Sequence, residues 1–145
     1  MKIVIATDHN GVEQKKIIIN SLINEYEIID MSQENYDTDD YPDFAINVAE
    51  YVRDNENTLG ILLCGTGIGM SIAANKVKDI RCAHVSNLAE AKLARMHNNA
   101  NIIAMSYRNN INDLIDCIKA FVKTNFANEE RHIRRINKIS EYEKR

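Results

Sequence analysis

With 145 residues, 45% of them hydrophobic, the chain is long enough for a single domain with its own core. A formal net charge of −3 argues against nucleic-acid binding by bulk charge, and three cysteines do not suggest a disulfide framework. The first apolar run, residues 1–6, is too short for a signal peptide, and no segment approaches membrane-spanning length. We therefore expect one domain over residues 1–145, in a soluble, reducing, cytoplasmic protein without a membrane or nucleic-acid partner.

Short apolar runs alternate with helix-like segments along the chain. Strands are predicted at residues 2–7, 27–30, 59–64, 81–85 and 100–106. Helices are predicted at residues 12–24, from 40 onward, and at 69–77, 87–98, 111–124 and 129–145, and residues 31–40 are predicted to be an exposed loop. Ile46 and Val48 are assigned to the apolar face of the second helix, Pro42 to its first turn, and Ser86 or Asn87 to the cap of the fourth. Strands that alternate with helices over short links indicate βαβ units and a parallel sheet.

Residues 61–71, ILLCGTGIGMS, join a buried strand, a thiol, a glycine-rich turn and the start of a helix. Three of the five glycines of the chain lie in this turn, whose backbone N–H groups can form an anion-binding nest. Cys64 falls at the carboxyl end of the strand, where open α/β sheets bind their ligands. A thiolate there can act as a base or a nucleophile, and the alternative is a buried structural cysteine.

Several familiar sites do not match the sequence. The turn is not G-x-G-x-x-G, and the chain has no phosphate-binding loop of the form G-x-x-x-x-G-K-S/T, which disfavours standard dinucleotide and nucleoside-triphosphate sites. No C-x-x-C accompanies Cys64, and no Cys/His cluster has zinc spacing, so neither a thiol redox protein nor a metal site is indicated. Cys82 and Cys117 are expected to be structural, and His84 to be packed inside the fourth strand.

The loops after the first and third strands share one edge of a parallel sheet, so Asp8 and His9 come near Cys64 if those two strands are neighbours. They fit binding of hydroxyl and phosphate groups, or a local turn cap. His97 ends the helix after the fourth strand and should lie at the opposite edge. It is either a cation favoured by the helix dipole or part of a neighbouring subunit's site.

The last predicted helix is highly charged and carries a thin stripe of isoleucines, which fits a contact either with another subunit or with its own chain. Its first turns contain several cations, which suit a phosphate or, alternatively, a solvated helix face. These cations are Arg131, His132, Arg134 and Arg135.

Several blocks of the sequence resemble the ribose-5-phosphate isomerase B family, which also includes galactose-6-phosphate and allose-6-phosphate isomerases. The matching blocks are ATDH at 6–9, DYP at 40–42, CGTGIGMSIAANK at 64–76, HN at 97–98 with Asn101, and RH at 131–132 with Arg135. The block at 64–76 is highly specific, and the others support it jointly.

The resemblance implies a three-layer α/β/α sandwich around a five-stranded parallel, Rossmann-like sheet in the order 2-1-3-5-4. It implies a homodimer, sometimes paired into tetramers, with active sites shared between subunits and the last helix packed on a partner. The implied reaction interconverts ribose 5-phosphate and ribulose 5-phosphate through an enediolate, without metal or cofactor.

Site roles follow from the resemblance residue by residue. Cys64 is the base, Thr66 assists at the substrate oxygens, and His97 opens the sugar ring. The enediolate is stabilised by backbone N–H groups of the turn, with Ser71 nearby: those of Gly65, Gly67, Ile68 and Gly69. The remaining roles are contacts with hydroxyl groups for Asp8 and Tyr41, with substrate oxygens for Asn98, and with the phosphate for His9, Arg131 and Arg135, with Arg108 as a weaker phosphate candidate.

The chain departs from the family pattern at Asn99, where many members have Asp, and at Glu129 and Glu130, where glycines are common. These departures affect substrate preference more than the reaction class. The alternatives are an isomerase of allose 6-phosphate or galactose 6-phosphate, and a phosphosugar-binding protein without catalytic activity.

Overall fold

A computed structural model describes all 145 residues, Met1–Arg145. The strands are β1 (Lys2–Thr7), β2 (Glu27–Asp30), β3 (Thr58–Cys64), β4 (Cys82–His84) and β5 (Ile102–Ser106). The helices are α1 (Val12–Leu22), α2 (Tyr41–Asp54), α3 (Ile68–Ala74), α4 (Leu88–Asn98), α5 (Ile111–Lys123) and α6 (Glu130–Glu143). All strand pairs are parallel, in the order β2-β1-β3-β5-β4, so the expected fold class and strand order are confirmed.

The sheet separates two apolar cores because alternate side chains of a strand point to opposite faces. On β3, Ile61 and Leu63 join the core shared with α1, α4 and α5, whereas Leu62 and Cys64 join the core shared with α2 and α3. Every residue of β3 is buried, as expected for a central strand covered by helices on both faces. This alternation places the Cys64 side chain on the α2/α3 side of the sheet.

Some boundaries and faces differ from the sequence-based prediction. β4 has three residues instead of five and pairs only with β5, at the edge of the sheet. The buried stripe of α2 follows helical spacing through Ala45, Val48, Ala49 and Val52, which leaves Ile46 beside it and 38% exposed. Of the two proposed caps of α4, Asn87 is the one used, since its side chain accepts the Glu90 N–H.

The last helix, α6, lies at the edge of the sheet where the strands begin. The segment before it is tied to the end of α4, since the Ala127 N–H donates to the Met96 carbonyl. At its other end, Glu143 accepts the Asp79 N–H ahead of β4. Ile133 and Ile139 remain exposed on this helix. None of the helices is both long enough and apolar enough to span a membrane.

Candidate active site

Cys64 ends β3, the central strand, at the carboxyl edge of the sheet. The residue is 5% exposed, and its Sγ accepts a hydrogen bond from the Gly67 N–H at 3.1 Å. The Ile68 N–H donates to Thr66 Oγ1, also at 3.1 Å. A backbone donor that touches the sulfur stabilises negative charge on it, and α3 begins directly behind this turn.

The turn around the thiol requires glycine at residue 67. Gly67 has φ +79°, in the left-handed region that side chains with a Cβ disfavour. A Cβ at this position would lie 2.9 Å from the backbone carbonyl carbon of Met105, an atom of β5 that cannot move aside. The same backbone geometry points the Gly67 N–H at the sulfur, so the fold of the turn and its contact with Cys64 depend on one another.

Two side chains from other elements lie over the turn. Tyr41, the first residue of α2, is so close to Gly69 that a Cβ there would meet its ring at 2.5 Å. Arg108, in the segment after β5, approaches Gly65, where a Cβ would lie 3.4 Å from the guanidinium Nη2. Ser106 links the two segments, since its hydroxyl donates to the Gly65 carbonyl at 2.7 Å and accepts the Arg108 N–H. A phenol and a cation therefore border the glycine turn.

His9 follows β1 at the same edge. Its Nδ1 lies 2.7 Å from Asp39 Oδ1, which also accepts the His9 backbone N–H. The hydrogen bond to Asp39 is the main cause that raises the pKa of His9 above its ordinary value, against a smaller lowering by burial. Burial alone would raise the pKa of Asp39, but hydrogen bonds from Asn35, His9 and the Tyr36 backbone hold it below its usual range. The pair therefore favours a His9 cation held by a carboxylate.

The end of β1 is held by residues that the sequence analysis did not single out. The Thr7 N–H donates to Ser32 Oγ and the Asn35 amide donates to the Thr7 carbonyl, both from the segment after β2. Lys15, which is 3% exposed, donates to the Ser32 carbonyl at 2.6 Å and lies 3.1 Å from Asp30 Oδ2. Nothing in the sequence indicated these contacts, because Lys15 reads as an ordinary helix residue, Ser32 and Asn35 read as ordinary loop residues, and the contacts join residues far apart in the chain.

Tyr107, the residue after β5, lies against the loop that follows β1. Its ring lies against Gly11, where a Cβ would come within 2.7 Å of it, and its hydroxyl would lie 3.7 Å from a Cβ at Gly65. Burial is the main cause that raises the pKa of Tyr107. We call the residues gathered at this edge the thiol cluster. It consists of Asp8, His9, Tyr41, Cys64, Gly65, Thr66, Gly67, Ile68, Gly69 and Arg108.

A second group, which we call the histidine cluster, consists of His97, Asn98, Arg131, His132 and Arg135. His97, in the last turn of α4, stacks on His132 of α6 with ring centroids 4.3 Å apart and planes 16° apart. His132 is 6% exposed and its Nε2 has no hydrogen-bond partner. Burial is the main cause that lowers the pKa of His132, and His97 and Arg131 add to the effect.

The backbone at the end of α4 is held by Arg81, whose guanidinium donates to the carbonyls of Asn98 and Asn99 at 2.9 Å each. Asn99 takes the left-handed conformation that ends the helix. Asn98 is exposed and lines a groove of about 420 Å³ between β4 and α6. Arg131 pairs with Glu129, one of the unusual acidic residues, and Arg135 is exposed.

The two clusters lie at opposite edges of the sheet within one chain. Cys64 is level with Ser106 at the carboxyl end of β5, whereas the histidine cluster precedes Ile102 at its other end. Four residue steps along a parallel strand correspond to about 13 Å, at roughly 3.3 Å per residue. The structure thus brings the predicted residues of the thiol cluster together and keeps the histidine cluster away from it.

Four further residues singled out in the sequence lie outside both clusters: His84, Ser71, Cys82 and Cys117. His84, predicted to be packed, is exposed, and its Nε2 lies 2.9 Å from the Thr66 carbonyl oxygen. The prediction was wrong because β4 is an edge strand, and its last side chain reaches over the glycine turn. Burial raises the pKa of Cys82 to about 12, against a smaller lowering by the Ser71 side chain of α3. Cys117 of α5 is buried in the core that α5 shares with α1 and α4, and burial is the main cause that raises its pKa.

No group of three or more His, Cys, Asp or Glu side chains is arranged to hold a metal ion. What the thiol cluster offers is a sulfur in contact with a backbone donor, further N–H groups at the start of α3, and a histidine cation on an adjacent loop. This combination suits proton transfer at a substrate whose charge develops on oxygen, with an anionic group held nearby.

A family model described as Ribose/Galactose Isomerase matches residues 3–139. The chain is 45% identical over 146 residues to a probable ribose-5-phosphate isomerase B of Mycoplasma genitalium, an alignment that covers 98% of this chain and 95% of that protein. It is 46% identical over 149 residues to a putative sugar phosphate isomerase of Bacillus subtilis, with 100% and 99% covered.

Solved structures that resemble this chain are also ribose-5-phosphate isomerases of type B. The fold is similar to ribose-5-phosphate isomerase B of Clostridium thermocellum, with a TM-score of 0.93, 42% identity, and coverage of 99% of this chain and 98% of that one. It is equally similar to the Mycoplasma genitalium enzyme solved with bound ribulose-5-phosphate, with a TM-score of 0.93, 44% identity and coverage of 99% and 96%.

Proposed function

Because the chain belongs to the Ribose/Galactose Isomerase family and is an isomerase, we propose that it interconverts ribose 5-phosphate and ribulose 5-phosphate. The observation that carries the proposal is the hydrogen bond from the Gly67 N–H to the Cys64 sulfur at the carboxyl edge of the sheet. The similar Mycoplasma genitalium structure with bound ribulose-5-phosphate supports the choice of a five-carbon phosphosugar.

In the proposed reaction, the Cys64 thiolate removes the proton from C2 of open-chain ribose 5-phosphate. The electrons of that C–H bond form the C1–C2 double bond, and the aldehyde oxygen becomes the enediolate oxygen. The protonated sulfur then returns this proton to C1, while the proton of the C2 hydroxyl moves to the C1 oxygen, so that C2 becomes the ketone and C1 the primary alcohol of ribulose 5-phosphate. A positioned acid or base contributes about 10²–10⁴-fold to such a transfer.

The charge that develops on the substrate oxygens needs donors that are already in place. The turn from Gly65 to Gly69 and the start of α3 offer backbone N–H groups next to the sulfur, and Thr66 Oγ1 lies among them. Donors fixed by the fold need no reorganisation when the charge appears. Gly67 N–H alternates in this scheme between stabilising the thiolate and stabilising the enediolate.

The phosphate and the sugar hydroxyls are assigned to the loops around the turn. His9, whose pKa is raised by Asp39, supplies a cation for the phosphate, and Arg108 lies on the same edge as a further candidate. Asp8 and Tyr41 border the space between them and contact hydroxyl groups. Binding energy from the phosphate then positions the reacting carbons, which lie at the other end of the substrate.

We further propose that the histidine cluster serves the site of a second copy of the chain. The two clusters are about 13 Å or more apart within one chain, and ring opening by His97 must occur at the same substrate that Cys64 deprotonates. A homodimer in which His97, Asn98, Arg131 and Arg135 of one subunit face Cys64 of the other resolves the separation. The exposed Ile133 and Ile139 on α6 suit the same subunit contact.

Substitution of Cys64 by alanine tests the role of the base. Cys64→Ala should lower kcat for ribose 5-phosphate by about 10²–10⁴-fold while ribulose 5-phosphate binding, measured by calorimetry, stays largely intact. Cys117→Ala removes a buried thiol from the other core and serves as the matched control. Turnover of Cys64→Ala close to that of Cys117→Ala would show that Cys64 is not the base.

A substrate panel tests the reaction itself. Ribose 5-phosphate, allose 6-phosphate and galactose 6-phosphate are compared by the rate of ketose formation. Preference for a six-carbon substrate would replace the proposed one, and tight binding of all three without turnover would favour a phosphosugar-binding role.

Mixing two impaired variants, assayed with ribose 5-phosphate, tests the shared site. Cys64→Ala and His97→Asn subunits, refolded together, should form heterodimers with one intact site and recover activity. The absence of activity in purified heterodimers would contradict sharing between subunits.

A further inference from the structure

His84, the last residue of β4, makes a contact that no proposed step uses. Its side chain is exposed, yet its Nε2 lies 2.9 Å from the Thr66 carbonyl oxygen in the glycine turn. A carbonyl oxygen can only accept a hydrogen bond, so Nε2 carries the proton and donates it. The ring also lies over the turn, since a Cβ at Gly67 would be 3.0 Å from His84 Cδ2.

The bonded carbonyl and the donor that touches the sulfur belong to one peptide group. The Thr66 C=O and the Gly67 N–H are opposite ends of the same planar amide, so they turn together. At one end the carbonyl accepts from His84, and at the other the N–H donates to Cys64 Sγ at 3.1 Å. A flip of this peptide would break both bonds and turn the carbonyl oxygen toward the sulfur, where it would repel a thiolate.

We propose that His84 is a positioning residue that holds the Thr66–Gly67 peptide in the orientation that stabilises the Cys64 thiolate. The inference rests on the proposed role of Cys64 as the base. His84 acts in two ways. It opposes rotation of the peptide, and its hydrogen bond to the carbonyl polarises the amide, which makes the Gly67 N–H a stronger hydrogen-bond donor to the sulfur. Arg108, which approaches Gly65 from the segment after β5, faces the same turn but contacts a different residue.

Three substitutions separate the donor from the ring. His84→Phe keeps an aromatic ring over Gly67 without an N–H, His84→Gln keeps an N–H donor without the ring, and His84→Ala removes both. Because residue 84 is exposed at the end of an edge strand, we expect all three proteins to fold with nearly unchanged melting temperature. Thermal unfolding followed by circular dichroism checks this.

Two measurements test the inference. His84→Phe and His84→Ala should lower kcat for ribulose 5-phosphate by about threefold to tenfold with KM within about twofold, and His84→Gln should recover most of the loss. In protein labelled with ¹³C at cysteine Cβ, the Cys64 signal, identified with Cys64→Ala, should titrate at higher pH in His84→Phe and His84→Ala than in the unsubstituted protein.

The titration is recorded without substrate, so it separates the two proposals. Normal turnover of Cys64→Ala would end the assignment of the base. An unchanged titration midpoint of Cys64 in His84→Phe would overturn the role of His84, as would a loss of activity that His84→Gln shares in full.

Discussion

Replacement of Gly67 by alanine tests whether the glycine turn is as constrained as the structure indicates. Two effects at this position each lower the free energy of unfolding when alanine replaces glycine. A side chain with a Cβ at φ +79° costs about 1–2 kcal/mol, and the 2.9 Å approach to the Met105 backbone adds about 1–2 kcal/mol, because β5 cannot yield as a flexible side chain would. The free energy of unfolding should fall by about 2–4 kcal/mol.

Gly65→Ala is the matched control. Gly65 is not among the residues with positive φ, and the atom nearest to a Cβ there is Arg108 Nη2 at 3.4 Å, the far end of a flexible side chain. Its substitution should change stability by about 0.5 kcal/mol or less. The two variants therefore share the same chemical change in the same turn and differ only in backbone conformation and space.

Urea unfolding and thermal melting measure the difference. For a domain of this size about 1 kcal/mol corresponds to about 3 °C, so Gly67→Ala should melt about 6–12 °C lower than the unsubstituted protein. Its kcat should also fall, because relief of the strain moves the N–H that donates to Cys64. If Gly67→Ala and Gly65→Ala were equally stable, the argument from the left-handed turn would be refuted.

Two further predictions concern His9 of the thiol cluster and His97 of the histidine cluster. The hydrogen bond to Asp39 raises the pKa of His9, so the His9 cation and the stability that the pair contributes persist until the pH rises through that raised pKa. In Asp39→Asn, His9 should lose its charge at a lower pH, so ribulose 5-phosphate binding should begin to weaken at a lower pH than in the unsubstituted protein. Calorimetry across pH measures this, and an unchanged pH dependence would contradict it. His97→Asn should lower the initial rate with ribose 5-phosphate more than with ribulose 5-phosphate, which cannot form the furanose ring that His97 is proposed to open, and equal losses would count against ring opening.

The fold was largely predictable because its signals are local. Apolar runs of strand length alternating with helical patterns indicated the parallel sheet, and every predicted strand and helix exists. The errors concern an edge strand and the border of a buried helix face. β4 is short because it pairs on one side only, and Ile46 is exposed because it lies beside the buried face of α2. The strand order came from the resemblance to a family and is confirmed by the structure.

The thiol cluster was predictable in outline for a topological reason, since loops after neighbouring parallel strands must meet at one edge. The contacts that hold the thiol cluster in place could not be predicted from the sequence. Asn35, which donates to the Thr7 carbonyl, and Asp39, which accepts from His9, belong to a loop predicted to be exposed, and His84 was expected to be packed. Residue type and spacing carry no information on which loop folds over which strand.

The amino-acid sequence by itself determined the parallel α/β architecture, the thiol at the end of a buried strand and the glycines that follow it, because these depend on neighbouring residues and on the backbone freedom of glycine. Only the tertiary structure decided that Gly67 points its N–H at the sulfur, that His84 holds the opposite end of the same peptide, and that His97 stacks on His132 of α6. Hydrogen bonds between distant segments depend on how whole elements pack, and that packing minimises the free energy of the entire chain.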